Sequence, residues 1–288
     1  MYMYRKYYVV AFIFLGLGIL GCDGQVERNI GRLDSAKVRL EANPNDEEAL
    51  STILGLLKDR NGINRSNAAA VLGQAAEKVG GQIKDRALPP LIDLLDSGDL
   101  FDKRAAAIGI MGFGANATGA VPVLRKNLFP SSADFAEISA EALGKIGEPA
   151  AVAVPDLLKV IDENLVDDPN YERTIRATAT RVIGQIGPKA VAAAPRLLTL
   201  LDQSNNPAFK IQLAVAVIRI DPANIKALSE IDKLMGSPDV DQRILMISEL
   251  VDAGRDARPA LSVIKAAQND ADSDVRSMAK RLLAMLDT

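Results

Sequence analysis

Residues Ser139 to Val160 read SAEALGKIGEPAAVAVPDLLKV: two short apolar-periodic runs parted by Gly147-Glu148-Pro149, with Pro155 just inside the second run. The same order returns from Arg176 to Leu200, RATATRVIGQIGPKAVAAAPRLLTL, where Gly184, Gly187 and Pro195 stand as Gly144, Gly147 and Pro155 do. A helix pair this short cannot bury its apolar face until a neighbouring pair covers it, so tandem recurrence predicts stacking. The expected fold is all-α, a right-handed α-solenoid of stacked helix pairs.

Outward from this stretch, one column sets the register from Asn64 to the C-terminus. Arg65, Arg104, Arg176, Lys210, Arg243 and Arg276 each lie eight residues before Gly73, Gly112, Gly184, Ile218, Val251 and Ala284; only Ala136, before Gly144, breaks the column. Its intervals are 39, 32, 40, 34, 33 and 33 residues, a repeat of two helices. Ala68, Ala107, Ala179 and Ala279 follow three residues after the cation, on the face where small side chains let helices approach. Asp102, Asp241 and Asp274 precede it by two, where a carboxylate is expected to cap the helix. Each first helix is expected to end near a glycine, and each second helix to begin with Pro90, Pro122, Pro155, Pro195 or Pro259 in or before its first turns.

These positions, xxRxxAxxxLG, a turn, then AVPxLLxLL, resemble HEAT-like repeats, including those of phycobilisome-lyase-type repeat proteins. The resemblance covers roughly Asn64 to the C-terminus. It speaks to fold far more than to function, because the repeated residues are those that pack. In such stacks the second helices line the concave face, so the resemblance implies that Lys126, Lys159 and Lys233, with Thr199 among them, form a shallow positive strip there. The cation column, by contrast, reads as a structural ladder, each member bonding to an Asp or a carbonyl at a neighbouring turn.

The N-terminus reads as an address. Arg5 and Lys6 precede the 12-residue apolar run Val9–Leu20, which Gly21-Cys22-Asp23 closes. This is the layout of a signal peptide, too short for a membrane-spanning helix of roughly 20 apolar residues. Ile19-Leu20-Gly21-Cys22 resembles a bacterial lipobox, which implies that residues 1–21 are removed and that Cys22 becomes lipidated. Residues 22–29 are then expected to be a polar tether, 30–63 a pair of N-terminal capping helices, and 64–288 the repeat array, ending in a half-repeat. Between the capping helices, the phrase NPNDEEAL also resembles a tetratricopeptide boundary.

Composition removes most chemistry. The 288 residues contain no His, no Trp and one Cys, which excludes imidazole acid–base catalysis, Ser-His or Cys-His nucleophiles, intrachain disulfides and nearly every zinc site. Setting aside Arg5 and Lys6, there are 32 basic against 37 acidic residues, the wrong sign for a body that grips phosphates. Four of five Tyr (2, 4, 7 and 8) lie in the first 14 residues, leaving few stacking surfaces for bases or sugars. Asp270, Asp272 and Asp274 alternate like the start of an EF-hand loop, but Val275 and Arg281 stand where that loop needs Gly and Glu. The acidic stretch Asp162–Asn170, DENLVDDPN, is a second candidate for a cation. Gly109-Ile-Met-Gly112-Phe-Gly114 follows no strand and lacks the Lys-Ser/Thr pair of a phosphate loop. A resemblance to deoxyhypusine hydroxylase would demand His-Glu metal motifs, which are absent.

The resulting expectation is a membrane-tethered, extracytoplasmic, non-catalytic scaffold that needs no cofactor, avoids nucleic acid, and binds an unidentified protein or peptide. The alternatives are a small-ligand or cation sensor using the 162–170 loop, and a lyase-like repeat enzyme.

Overall fold

The structure is a computed structural model that describes residues 24–129, 133–162 and 169–287. Among these residues the regular structure is α-helix and short 3-10 helix alone. The chain divides into two compact units, Met1–Ile146 and Gly147–Thr288. The first contains α1 (Gly24–Ala42), α2 (Glu47–Leu56), α3 (Gly62–Val79), α4 (Lys84–Ser97), α5 (Leu100–Met111), α6 (Val121–Lys126) and α7 (Ala133–Ile146). The second contains α8 (Val154–Asp162), α9 (Pro169–Ile186), α10 (Ala194–Gln203), α11 (Pro207–Ile220), α12 (Ile225–Met235), α13 (Val240–Ala253), α14 (Leu261–Ala267) and α15 (Ser273–Leu286).

Of the expected tether, residues 24–29 are helical, while 22 and 23 lie outside the described residues. Helix α1, Gly24–Ala42, already buries Val26 and Asn29 in its first described turns. The polar side chains of these turns serve one another: Arg28 donates to Gln25 Oε1 at 3.0 Å, and Gln25 donates to Asn29 Oδ1 at 3.1 Å. The chain breaks between α1 and α2 at Asn43–Asp46. Asp46 accepts from the Ala49 amide as the cap of α2, while Arg39 binds Asp46 and Glu48 at 2.8–2.9 Å.

Within a repeat, first and second helices are joined by a 3-10 turn that the sequence pattern marks only by its glycine and proline. Gly147 and Gly187, at φ 71° and 77°, occupy the left-handed region that costs glycine nothing. The turns that follow bury alanine pairs three apart: 117 and 120, 150 and 153, 190 and 193, 257 and 260, each at most 1% exposed. A 3-10 helix eclipses residues i and i+3, so each turn presents one small apolar edge to the core. Pro122, Pro155 and Pro195 then sit second in α6, α8 and α10. In α4 the start differs from expectation. That helix begins at Lys84 and carries both Pro89 and Pro90 inside it. Pro89 lies two residues before fully buried Leu91, as Pro122, Pro155 and Pro195 lie before fully buried Leu124, Leu157 and Leu197, so the equivalent proline is Pro89.

The first helices stack through small residues. Ala68, Ala107, Ala179 and Ala279 are fully buried. Between α3 and α5 the approach is closest at Gly73, Gly109 and Gly112; a Cβ added at Gly112 would stand 2.0 Å from the Gly73 carbonyl oxygen. The expected caps at Asp102, Asp241 and Asp274 are corrected. The capping side chains belong to Asn61, Asp99, Asn206, Asp239 and Asp272. A cap accepts from amides two or three residues on, and the three carboxylates supply those amides: Asp102 N, Asp241 N and Asp274 N donate to Asp99, Asp239 and Asp272 at 2.9–3.0 Å.

Candidate functional site

The cation column resolves into a tie with two arms. Arg65 reaches back from α3 to the carbonyls of Asp59 and Arg60 at 2.9 and 3.0 Å, and forward with Nε and Nη2 to Asp102 on α5 at 2.7–3.0 Å. Arg243 repeats this: Nη1 donates to Ser237 O at 2.8 Å, and Nε and Nη2 clasp Asp270 at 2.9 Å. Arg276 keeps the backward arm, to the carbonyls of Asp270 and Ala271. Arg176 lies over the Phe209 ring, 5.2 Å from its centroid, and Lys210 stands 3.6 Å from Glu230; Arg104 also has a partner. The hydrogen bond to Arg243 is the leading reason that the Asp270 carboxyl is held below the usual carboxylate range. Two of the three alternating aspartates are thereby engaged: Asp270 binds Arg243 and the Asp272 amide, and Asp272 caps α15. No group of three or more metal-ligating side chains occurs among the described residues.

The lysine strip is not a row of unopposed charges. Lys126 pairs with Asp96 of α4 at 2.9 Å, Lys159 is exposed and also has a partner, and Lys233 stands 3.6 Å from Glu230 one turn before it. Further pairs join consecutive second helices: Arg196 of α10 to Asp162 of α8 at 2.7 Å, and Lys226 of α12 to Asp202 of α10. Thr199 donates to the Pro195 carbonyl of its own helix. Of the 162–170 stretch, residues 163–168 lie outside the described residues, as do the signal sequence and Cys22.

One place brings the two columns together. In the second unit, Lys210 of the ladder and Lys233 of the strip flank the Glu230 carboxylate, each ammonium 3.6 Å from a different oxygen. They line a groove of about 420 Å³ whose other walls come from the 204–207 loop, the Gly236–Pro238 turn and Gln242, with Leu234 on its apolar side. Glu230 was missed in the sequence because it lies outside both columns, and nothing local to α12 says that α11 brings Lys210 to it.

A second charge cluster lies away from the groove. Arg219 on α11 binds Asp256 at 2.8 Å and is mostly buried, and that burial lowers its pKa. Burial chiefly, then the neighbouring Asp252 charge, pushes the Glu249 carboxyl up, against the opposing influence of Arg181, Gln212 and Arg219.

No family model matches this sequence, and no curated protein does. Solved structures do. The complex of CpcE and CpcF of phycocyanin lyase from Nostoc sp. PCC7120 is similar at TM-score 0.54 and 19% identity, over 83% of this chain and 93% of that one. An engineered protein matches at TM-score 0.55 and 19% identity, over 93% and 76%. Kap121p bound to Pho4p matches at TM-score 0.61 and 16% identity, over 97% of this chain but 35% of that one. At such identities the likeness concerns fold alone: this is an all-α repeat fold. No described helix is long and apolar enough to cross a membrane.

Proposed function

We propose that the protein is a non-catalytic scaffold, tethered to the extracytoplasmic side of a membrane through lipid on Cys22, which holds a partner protein or peptide against its second helices. One observation carries the binding half of this reading. The side chains that repeat along the chain are buried in the stack or engaged in ties between turns and neighbouring helices, while the second helices keep an exposed polar surface. A repeat array enlarges such a surface with each added unit. The tether rests on the sequence of residues 1–22, which has the layout of a lipoprotein signal.

Two experiments test the two halves separately. Acyl labelling and membrane fractionation compare wild type with Cys22→Ser; a mutant that stays membrane-bound at unprocessed size overturns the lipid tether. Pull-down with the lipid-free body compares wild type with the Lys126→Glu, Lys159→Glu, Lys233→Glu triple variant. The expected result is loss of a salt-sensitive protein partner at unchanged helicity. A lyase-like activity is the second reading, supported by the fold likeness to the phycocyanin lyase subunits.

A further inference from the structure

The first turns of α1 carry charge that the repeat stack does not use. On a helix of 3.6 residues per turn, Arg28, Arg32, Ser35 and Arg39 fall within about 60° of the circumference, while Glu27 and Asp34 lie about 100–120° round from Arg28. Val26, Asn29 and Leu33 occupy the remaining side and are buried. Helix α1 is therefore fixed to the body and shows solvent one basic flank and one acidic flank. At the far end of the basic flank, Arg39 is already bound by Asp46 and Glu48. Arg28 and Arg32 are exposed and meet neutral oxygens instead, Gln25 Oε1 at 3.0 Å and Asn29 Oδ1 at 3.4 Å. Neither forms an ion pair among the described residues. Helical side chains lean toward the N-terminus of their helix, and Arg28 does so here: a Cβ added at Gly24 would stand 3.4 Å from its Nη1.

The length of chain before α1 says what that flank meets. Cys22 precedes Gly24 by two residues, and two fully extended residues span at most about 7 Å. Lipid on Cys22 thus holds the start of α1 at the level of the headgroups. The Arg28 guanidinium, level with Gly24, then lies within reach of the surface potential, which extends about 10 Å; Arg32 follows one turn later, about 6 Å along the axis. Residues 23–34 hold two basic side chains and three acidic ones, Asp23, Glu27 and Asp34, so attraction depends on which flank turns to the membrane, not on net charge. Guanidinium forks match phosphate oxygens, and an anionic surface repels the acidic flank. Both effects roll the helix the same way.

We infer that Arg28 and Arg32 dock α1 on anionic phospholipid headgroups with its basic flank down, which holds the body in one orientation on the membrane. The inference rests on the lipid-tether reading and adds the surface that faces the bilayer. Each arginine near an anionic surface shifts the ratio of docked to undocked protein by about fivefold, and the pair by about 25-fold.

The test uses the full chain, purified with its lipid and placed in vesicles. Cys22 is the one cysteine of the sequence, so with its thiol blocked by lipid, Ser35→Cys and Val38→Cys each offer a single reactive thiol. The first lies on the basic flank; the second lies on the acidic flank and is 64% exposed in the native chain. A fluorophore at each position is read against a trace lipid that carries a nitroxide quencher on its headgroup. With about 30% phosphatidylglycerol in phosphatidylcholine, quenching should be strong at 35 and weak at 38. The docked-to-undocked ratio read at 35 should fall about 25-fold in the Arg28→Gln, Arg32→Gln variant. Quenching there should also fade in pure phosphatidylcholine, and at about 1 M salt, where the Debye length is about 3 Å. Circular dichroism of the variant should be unchanged, since both arginines are exposed. In vesicle-bound protein, equal quenching at 35 and 38 overturns the docking, as does quenching at 35 that survives loss of both arginines or of the anionic lipid. Wild-type protein absent from the vesicle fraction overturns the tether reading itself, and the docking with it.

Discussion

Replacing Gly112 with Ala adds one methyl group where α3 and α5 have left no room for it. The new Cβ would lie 2.0 Å from the Gly73 oxygen and 2.6 Å from the Gly73 carbonyl carbon. A C···O contact needs about 3.3 Å, so the two helices must part by roughly 1.3 Å locally. The obstructing atoms are backbone and cannot rotate away. Overpacking of this kind costs about 1–3 kcal/mol. Against it stands the preference of a helix for Ala over Gly, at most about 1 kcal/mol, and Gly112 at φ −64° and ψ −20° imposes no backbone strain on Ala. The net expectation is a loss of about 1–2 kcal/mol, or a fall in Tm of roughly 2–8 °C for a chain of this size. Gly31→Ala is the matched control: it lies inside α1 with nothing within 4 Å of the added Cβ, so it should stabilise by up to about 1 kcal/mol. Circular dichroism at 222 nm during urea and thermal unfolding reads both, as midpoints, because repeat arrays need not unfold in one step. If Gly112→Ala moves the midpoint upward, or in step with Gly31→Ala, the close-approach argument is wrong.

Leu157→Ala empties a fully buried position of the second-helix column and should cost about 2–5 kcal/mol, visible as a lower urea midpoint; a change below about 1 kcal/mol would place Leu157 outside the core. Asp270→Asn tests the clasp by Arg243. Because the folded-state pKa of Asp270 is lowered from 3.8, its stabilisation is present above pH 3.8 and is lost as pH falls through the folded value, so the Tm gap to wild type seen at pH 7 should close in acid. Glu249 has the opposite sign. Its pKa is raised from 4.5 by burial first and Asp252 second, so ionisation strains the fold at neutral pH and protonation relieves it. Glu249→Gln should therefore raise Tm at pH 7, with the advantage vanishing below pH 4.5; a neutral-pH loss would mean that Arg181 and Arg219 outweigh the burial.

The local features of this chain were legible one residue after another. Helical period, turn glycines such as Gly147 and Gly187, and the prolines at 122, 155 and 195 act through the chain's own backbone within a few residues. They specify helix pairs and their register without reference to a neighbour, and tandem repetition adds the stacking. The caps show where that reasoning stops. Asp102 stands two residues before the cation of its column and reads as a cap, yet it lies in the first turn of α5, its amide is the group capped, and its carboxylate binds Arg65, 37 residues earlier. Only packing of α3 against α5 decides between those roles, because both are chemically available to an aspartate at the start of a helix.

The candidate site was half legible for the same reason. Lys210 and Lys233 could be picked out because each belongs to a column that repeats. Glu230 belongs to none and acquires its role from being carried between them. Likewise the sequence of Gly73 and Gly112 announces only small residues on helices, and the 2.0 Å clearance that makes a methyl group intolerable exists only once the two helices meet. Sequence alone thus determined the elements, their order and the absence of histidine chemistry. Tertiary structure decided which charges are engaged in holding repeats together and which face open space, since a charge's meaning depends on atoms that lie far along the chain and near in space.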